Sequence, residues 1–242
     1  MDRGQYDRAY YLLTLCHTIL PEDGKTLEYL GIIYDALKQK DVAASFFTRA
    51  YACSPKEFYR HHLNYLIEAK DWDEAFRVAK QATRDNDDDP DAWNSLLQVS
   101  MPLGDYKTAT QAVDAIDRIL GPSRYTALVR YEIAIRQPKT KPKDLIPIYE
   151  SVLEHDPDNV LILNNYAFFL ATHKGDLNRA EQMSQRAIQM QPENPSFLDT
   201  YGWILHLKKQ DILAKFYLQK ALTIIGDQPG NIQIRKHLGK IK

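Results

Sequence analysis

A chain of 242 residues, 44% hydrophobic and 26% charged, has the makeup of an ordinary folded protein and argues against disorder. Its 31 basic and 32 acidic residues nearly cancel, so no whole-chain field draws it to nucleic acid or to an anionic membrane. The longest apolar runs, such as 167–172, fall far short of the ~20 residues of a membrane span, and residues 1–6 form no basic-then-apolar signal segment. The compartment stays open between cytoplasm and, if a signal was removed, periplasm.

Seven of the twelve prolines, Pro21, Pro55, Pro90, Pro122, Pro157, Pro192 and Pro229, recur at intervals of 34, 35, 32, 35, 35 and 37 residues. A repeated unit of that length predicts a stack of similar pieces, each burying its neighbour's apolar face. In chain order the first piece, 1–23, is a half unit: Tyr6, Ala9, Leu12, Leu13, Cys16 and Leu20 mark the apolar face of a single helix. It reads as the second helix of a pair whose first is missing. That predicts either a fragment of a longer array, with upstream repeats on this helix, or an end covered by a partner or by self-association. Cys16 and Cys53 form no CxxC pair, and both are expected to be buried free thiols.

Counted from Gly24, the next unit has Leu27, Leu30, Gly31, Tyr34, Ala43, Phe47, Ala50 and Pro55 at positions 4, 7, 8, 11, 20, 24, 27 and 32. Small residues at 8, 20 and 27 let helix backbones approach closely, and large ones at 4, 7, 11 and 24 fill the space between them. This pattern resembles the tetratricopeptide repeat signature at each key position, and it points to a bacterial member of that family or a fragment of one. The resemblance implies an all-α fold, a right-handed superhelical solenoid of antiparallel helix pairs with about 14 helices in a single domain.

The unit from Lys56 carries the same face with Tyr59, Leu63, Leu66, Ala75, Ala79 and Ala82. From Pro90 it continues with Trp93, Leu96, Leu97, Ala109, Val113 and Ile116. A weaker unit near Arg124 keeps Ala127, Tyr131 and Ala134 but has a stretched turn at 137–143. Its second helix is predicted to restart at Asp144, which would leave Pro147 in a first turn where no amide donor is needed. Leu163, Tyr166, Ala167, Leu170, Ala180 and Ala187 form the next unit, and Leu198, Tyr201, Gly202, Leu205, Ala214, Leu218 and Ala221 the last. The predicted repeats cover about 24–55, 56–89, 90–122, 123–157, 158–194 and 195–228, with a solvating cap helix over 229–242.

Chemistry-bearing motifs are sparse. The acidic stretch at 85–91 has Pro90 where a calcium loop needs glycine and Leu96 where it needs a bidentate glutamate, so it reads as a turn with helix-capping aspartates. His61 and His62 are adjacent and diverge by roughly 100° on a helix; the other histidines are scattered over different units, so metal ligation is not expected. No GxSxG, GxxxxGK[ST], HExxH or GxGxxG motif occurs, and neither a cofactor nor enzyme activity is expected within the chain. Arg136, Lys139, Lys141 and Lys143 read as a solvated loop, with an acidic partner as the alternative.

The resemblance places partner contacts on the first helices, at positions 2, 5, 9 and 12 of each unit. Carried over, this nominates Arg60, Asn64, Asn94, Gln98, Glu132, Asn164, Phe168, Asp199, Trp203 and His206 as a groove for a protein or peptide ligand. The amides offer both donors and acceptors to an extended backbone, and Phe168 and Trp203 are candidate aromatic anchors. Trp203 has a competing reading as inter-helix core. Arg60 and Asn64 also match the first two positions of the family's carboxylate clamp, but Ser95, Tyr125 and Val129 break that pattern. The expected function is therefore a non-catalytic binding scaffold. The alternatives are a structural arm of a cell-envelope complex and a regulatory region of an enzyme whose catalytic domain lies elsewhere.

Overall fold

The computed structural model describes the backbone of residues 3–241 and side chains from residue 8 onward. Within that range fourteen helices and no strand are present. The contacts gather into two units, Met1–Thr126 and Ala127–Lys242. The first holds α1 (Arg3–Ile19), α2 (Gly24–Ala36), α3 (Lys40–Cys53), α4 (Pro55–Glu68), α5 (Trp72–Asp85), α6 (Pro90–Leu103) and α7 (Tyr106–Leu120). The second holds α9 (Pro142–His155), α10 (Val160–Thr172), α11 (Leu177–Met190), α12 (Pro195–Leu207), α13 (Asp211–Ile225) and α14 (Asn231–Leu238), and the division passes through α8 (Arg124–Arg136).

Each unit is a succession of helix hairpins. The pairs α2/α3 and α6/α7 pack most extensively in the first, and α10/α11 and α12/α13 in the second. Ala43 and Ala50 are 1% exposed and Ala75, Ala79, Ala109, Ala180 and Ala214 are fully buried, so the small positions are where backbones meet. The large positions fill the gaps between them, with Leu27, Leu63, Tyr166 and Leu198 all at or below 1% exposure. Among the described residues no helix is long and apolar enough to cross a membrane.

The hairpin turns share one backbone solution. Lys38, Lys70, Lys174 and Lys209 lie in the left-handed region, with φ of 61°, 59°, 56° and 66°, and Gly104 takes the same conformation at φ 69°. At these turns the amide after that residue reaches back into the preceding helix: Gln39 N–H to Tyr34 O, Asp71 N–H to Leu66 O, Asp105 N–H to Ser100 O and Gln210 N–H to Leu205 O. This closes the helix ends in the manner of a Schellman motif, which glycine serves best because it has no Cβ to strain. Lys38→Gly, Lys70→Gly, Lys174→Gly and Lys209→Gly are each expected to stabilise the chain by about 0.5–1 kcal/mol. That is the left-handed penalty of ~1–2 kcal/mol less the extra freedom of an unfolded glycine. Gly104→Lys should cost a similar amount, because nothing lies within 4 Å of a Cβ there. Urea unfolding midpoints test this, and five unchanged midpoints would mean that the turns carry no strain.

Short polar side chains start the helices. Asp23, Asp71, Asp105, Asn159, Asp176 and Asn194 each accept a hydrogen bond from an amide of the following first turn, worth about 1 kcal/mol apiece. In the acidic stretch Asp89 caps α6 through Asp91 N–H at 3.0 Å, and Asp87 O accepts from Trp93 Nε1 at 2.9 Å. Pro55 and Pro90 sit in the first turn of α4 and α6, so they open the following helix, where their missing N–H has no intrahelical role.

Three expectations are corrected. The inward stripe of α1 runs through Tyr10, Leu13 and His17: Tyr10 meets Tyr34 edge-on at 5.9 Å and His17 meets Phe46 at 5.8 Å. Leu12, Cys16 and Leu20 are exposed, and Tyr6 lies outside the described side chains. Both cysteines are exposed free thiols, and Cys53 Sγ donates to Glu22 O at 3.3 Å. Finally, α9 starts at Pro142, so Pro147 lies past the first turn. Pro142 itself fills the first-turn position, where its fixed φ favours helix entry.

Candidate functional site

The first helices of successive pairs carry the nominated contact positions, and each unit is described separately. In Met1–Thr126 these helices are α2, α4 and α6. Arg60 on α4 is committed within the chain: its guanidinium lies 2.8 Å from Asp89 Oδ2 and 3.1 Å from Asp91 Oδ2, and its Nε donates to the Tyr59 hydroxyl at 3.3 Å. The Tyr59 hydroxyl and the Asp89 carboxylate hold the guanidinium protonated more firmly than usual. Arg60 thus ties α4 to the turn that starts α6.

Asn64, one turn along, is exposed and lines a cavity of about 190 Å³ with Ile32, Asp35, Phe47, His61, Tyr65 and Glu68. His61 stacks on Phe47 with ring centroids 5.0 Å apart and pairs through Nδ1 with Glu28 Oε1 at 2.8 Å, and Glu68 accepts from Lys40 Nζ at 2.5 Å. Asn94 is half-buried and accepts from the Tyr125 hydroxyl at 3.1 Å, whereas Gln98 is exposed. This unit therefore places Asn64 and Gln98 on open surface and fixes Arg60 and Asn94 by contacts of its own.

In Ala127–Lys242, Glu132 on α8 is exposed, 3.7 Å from Arg136. The basic residues 136, 139, 141 and 143 are all exposed. Asn164 on α10 is 7% exposed; its Nδ2 donates to Asn165 Oδ1 at 3.4 Å, and Asn165 Nδ2 in turn donates to the Tyr131 hydroxyl at 3.1 Å. Among the described residues Asn164 Oδ1 has no hydrogen-bond partner. Phe168, one turn on, is half-buried, and with Asn164 it lines a cavity of this unit.

Two of the remaining three positions, Asp199 and Trp203, meet α14, and the third, His206, meets the start of α13. Asp199 Oδ1 lies 2.8 Å from His237 Nδ1 with both groups buried. His237 stacks on Trp203 with centroids 4.4 Å apart and planes 17° from parallel, and Lys240 Nζ sits 4.8 Å from the Trp203 ring. His206 pairs with Asp211 at 2.7 Å. Trp203 thus packs against α14, while Asn164 and Phe168 stand beside an open cavity.

Sequence reasoning passed over Asn165, Gln233 and His237. The signal for the last was present: Phe168, Trp203 and His237 fall at intervals of 35 and 34 residues, so α14 continues the series of first helices.

Comparison with known proteins agrees with the fold. A family model described as "Tetratricopeptide repeat" matches residues 148–182. The TPR repeat-containing protein PA4667 of Pseudomonas aeruginosa is 29% identical over 89 residues, which are 37% of this chain and only 14% of that protein's length. Among solved structures, YrrB, described as a TPR protein with an unusual peptide-binding site, superposes with a TM-score of 0.63 at 17% identity, covering 80% of this chain and 99% of that one. A tetratricopeptide repeat protein from Parabacteroides merdae ATCC 43184 covers 98% of this chain and 93% of its own, with a TM-score of 0.56 at 16% identity. At these identities the structural likeness is one of fold.

Proposed function

We propose, because this chain is a protein of the tetratricopeptide repeat family, that the faces of its first helices hold an extended segment of a partner protein. The fold is in general a protein-interaction scaffold, and YrrB is described as binding peptide. The observation that carries the reading is the exposure of Asn64 and Gln98 on α4 and α6, at spacing 34, while Arg60 and Asn94 on the same helices are held by contacts within the chain. An amide there supplies a donor and an acceptor to a peptide backbone without imposing a side chain.

The test is a pull-down with the full chain, followed by affinity measurement on the recovered partner. Asn64→Ala with Gln98→Ala should weaken binding by roughly tenfold, as two hydrogen bonds of about 0.5–1.5 kcal/mol each require. Lys80→Ala with Gln111→Ala, on exposed positions of the second helices, should leave it unchanged. Equal affinity for the first double variant and the wild type, or a loss confined to the second, would remove the groove from the mechanism.

A further inference from the structure

The second unit holds a cavity of about 470 Å³ where α10, α12 and α14 converge, walled by Asn164, Asn165, Phe168, Asp199, Gln233 and Ile234 among others. Its polar wall is built for a donor. Asn165 points its amide nitrogen at the Tyr131 hydroxyl and its oxygen at Asn164 Nδ2, which leaves Asn164 Oδ1 as an acceptor with nothing to accept from among the described residues. That side chain is more than nine-tenths buried. A buried carbonyl oxygen left unmet is costly, so a ligand donor reaching it is favoured.

Asp199 supplies the charge. Among the described residues it is the only carboxylate in the wall, no lysine or arginine lines the cavity, and only His237 hydrogen-bonds to it, at Oδ1. Phe168, Ile225 and Ile234 supply apolar surface in the same space. An unpaired acceptor, a carboxylate and an apolar flank together match a long side chain with a methylene stem and a cationic, donor-rich head.

We infer that this cavity receives a lysine or arginine side chain of the partner segment, with its stem along Phe168 and Ile234 and its head between Asn164 Oδ1 and Asp199. The inference rests on the groove reading above and gives it a ligand chemistry opposite to the anionic tail taken by a carboxylate clamp. The first unit is consistent with it in Asp35, which lines the cavity beside Asn64, whereas Glu68 of the same wall is already paired with Lys40.

The probe is a blocked nonapeptide of alternating alanine and serine with a central lysine, titrated into the full-length chain while side-chain amide signals are followed by NMR. The lysine peptide is expected to shift the Asn164 side-chain amide and to bind roughly tenfold more tightly than its norleucine or glutamate counterpart, the effect of one charge-assisted contact. Putrescine tests a free amine as the source of the same chemistry and is expected to bind more weakly than the peptide. Asp199→Asn should erase the preference for lysine. Asn164→Leu should do so as well, without disturbing α14, because Asn165 is its only hydrogen-bond partner among the described residues. Failure of every peptide to bind, equal binding of norleucine, a lysine preference that survives both variants, or tighter binding of putrescine would each overturn the inference. If that happens while the Asn64 and Gln98 double variant still weakens the natural partner, the groove reading stands and the cationic pocket alone falls.

Discussion

Replacing Tyr166 by alanine is expected to destabilise the second unit by about 3–5 kcal/mol, the range for removing a buried aromatic. Tyr166 is 1% exposed and stacks on Tyr149 with ring centroids 4.7 Å apart and planes 7° from parallel, and Tyr149 in turn packs on Phe169 at 5.5 Å. Its hydroxyl donates to Glu150 Oε1 at 2.5 Å while Arg179 lies 2.6 Å from the other oxygen of that carboxylate. Burial first, and the carboxylate second, push the Tyr166 phenol up to about 12, so it stays a donor across the physiological range. Tyr166→Phe separates the two contributions. It should cost only about 1 kcal/mol, since the lost hydrogen bond ends on a partly exposed carboxylate that water can serve instead.

Because repeat chains are stabilised by nearest-neighbour interfaces, the loss should stay local. Amide exchange should accelerate in α9, α10 and α11 of Tyr166→Ala while α4, α5 and α6 keep their protection. A uniform acceleration would show that the chain unfolds as one cooperative body, and no acceleration would show that the stack contributes little.

The parts of this molecule that were legible in its sequence are those set by a single helix and its next neighbour. Gly31, Ala43 and Ala50 announce close backbone approach, Leu27 and Phe47 announce filling, and all are buried. The same logic misread α1: of the expected face Tyr6, Ala9, Leu12, Leu13, Cys16 and Leu20, only Leu13 belongs to the stripe through Tyr10, Leu13 and His17, while Ala9, Leu12, Cys16 and Leu20 are exposed. Aromatic contacts with Tyr34 and Phe46 select that stripe, and periodicity alone carries no information about them.

The candidate site was less legible for a related reason. Whether Arg60 is offered to a ligand or consumed by Asp89, 29 residues away, depends on a rotamer and a turn, not on spacing. His237 was readable as the next step of the series through Phe168 and Trp203, yet a short basic helix at the end of the chain equally fits a simple cap. The two descriptions coincide, since Ile234 of α14 and Ile241 just after it pack on the apolar end of the second unit, while His237 contacts Asp199 and Trp203.

Gly202→Leu is expected to cost about 3 kcal/mol or more, at the upper end of what overpacking a closed interior does. A Cβ at this position would stand 2.8 Å from Leu218 Cγ and 3.2 Å from the Ala214 carbonyl oxygen. Leu218 and Ala214 are both fully buried, so neither has room to retreat. Glycine within a helix normally costs about 1 kcal/mol against alanine, and its presence in the middle of α12 is explained by how closely α13 passes. Gly202→Ala recovers the helix propensity but meets the same Leu218 side chain and backbone oxygen, so it should be destabilising by a smaller amount. The consequence reaches the cavity, because Asp199 and Trp203 flank this glycine on α12 and hold α14 through His237. Pushing α12 away from α13 should shift the Trp203 indole signal and weaken the lysine peptide together with stability. A Gly202→Leu chain that unfolds within about 0.5 kcal/mol of wild type, the range of a neutral surface change, would mean that the two helices separate freely and that the small residue at this position sets nothing.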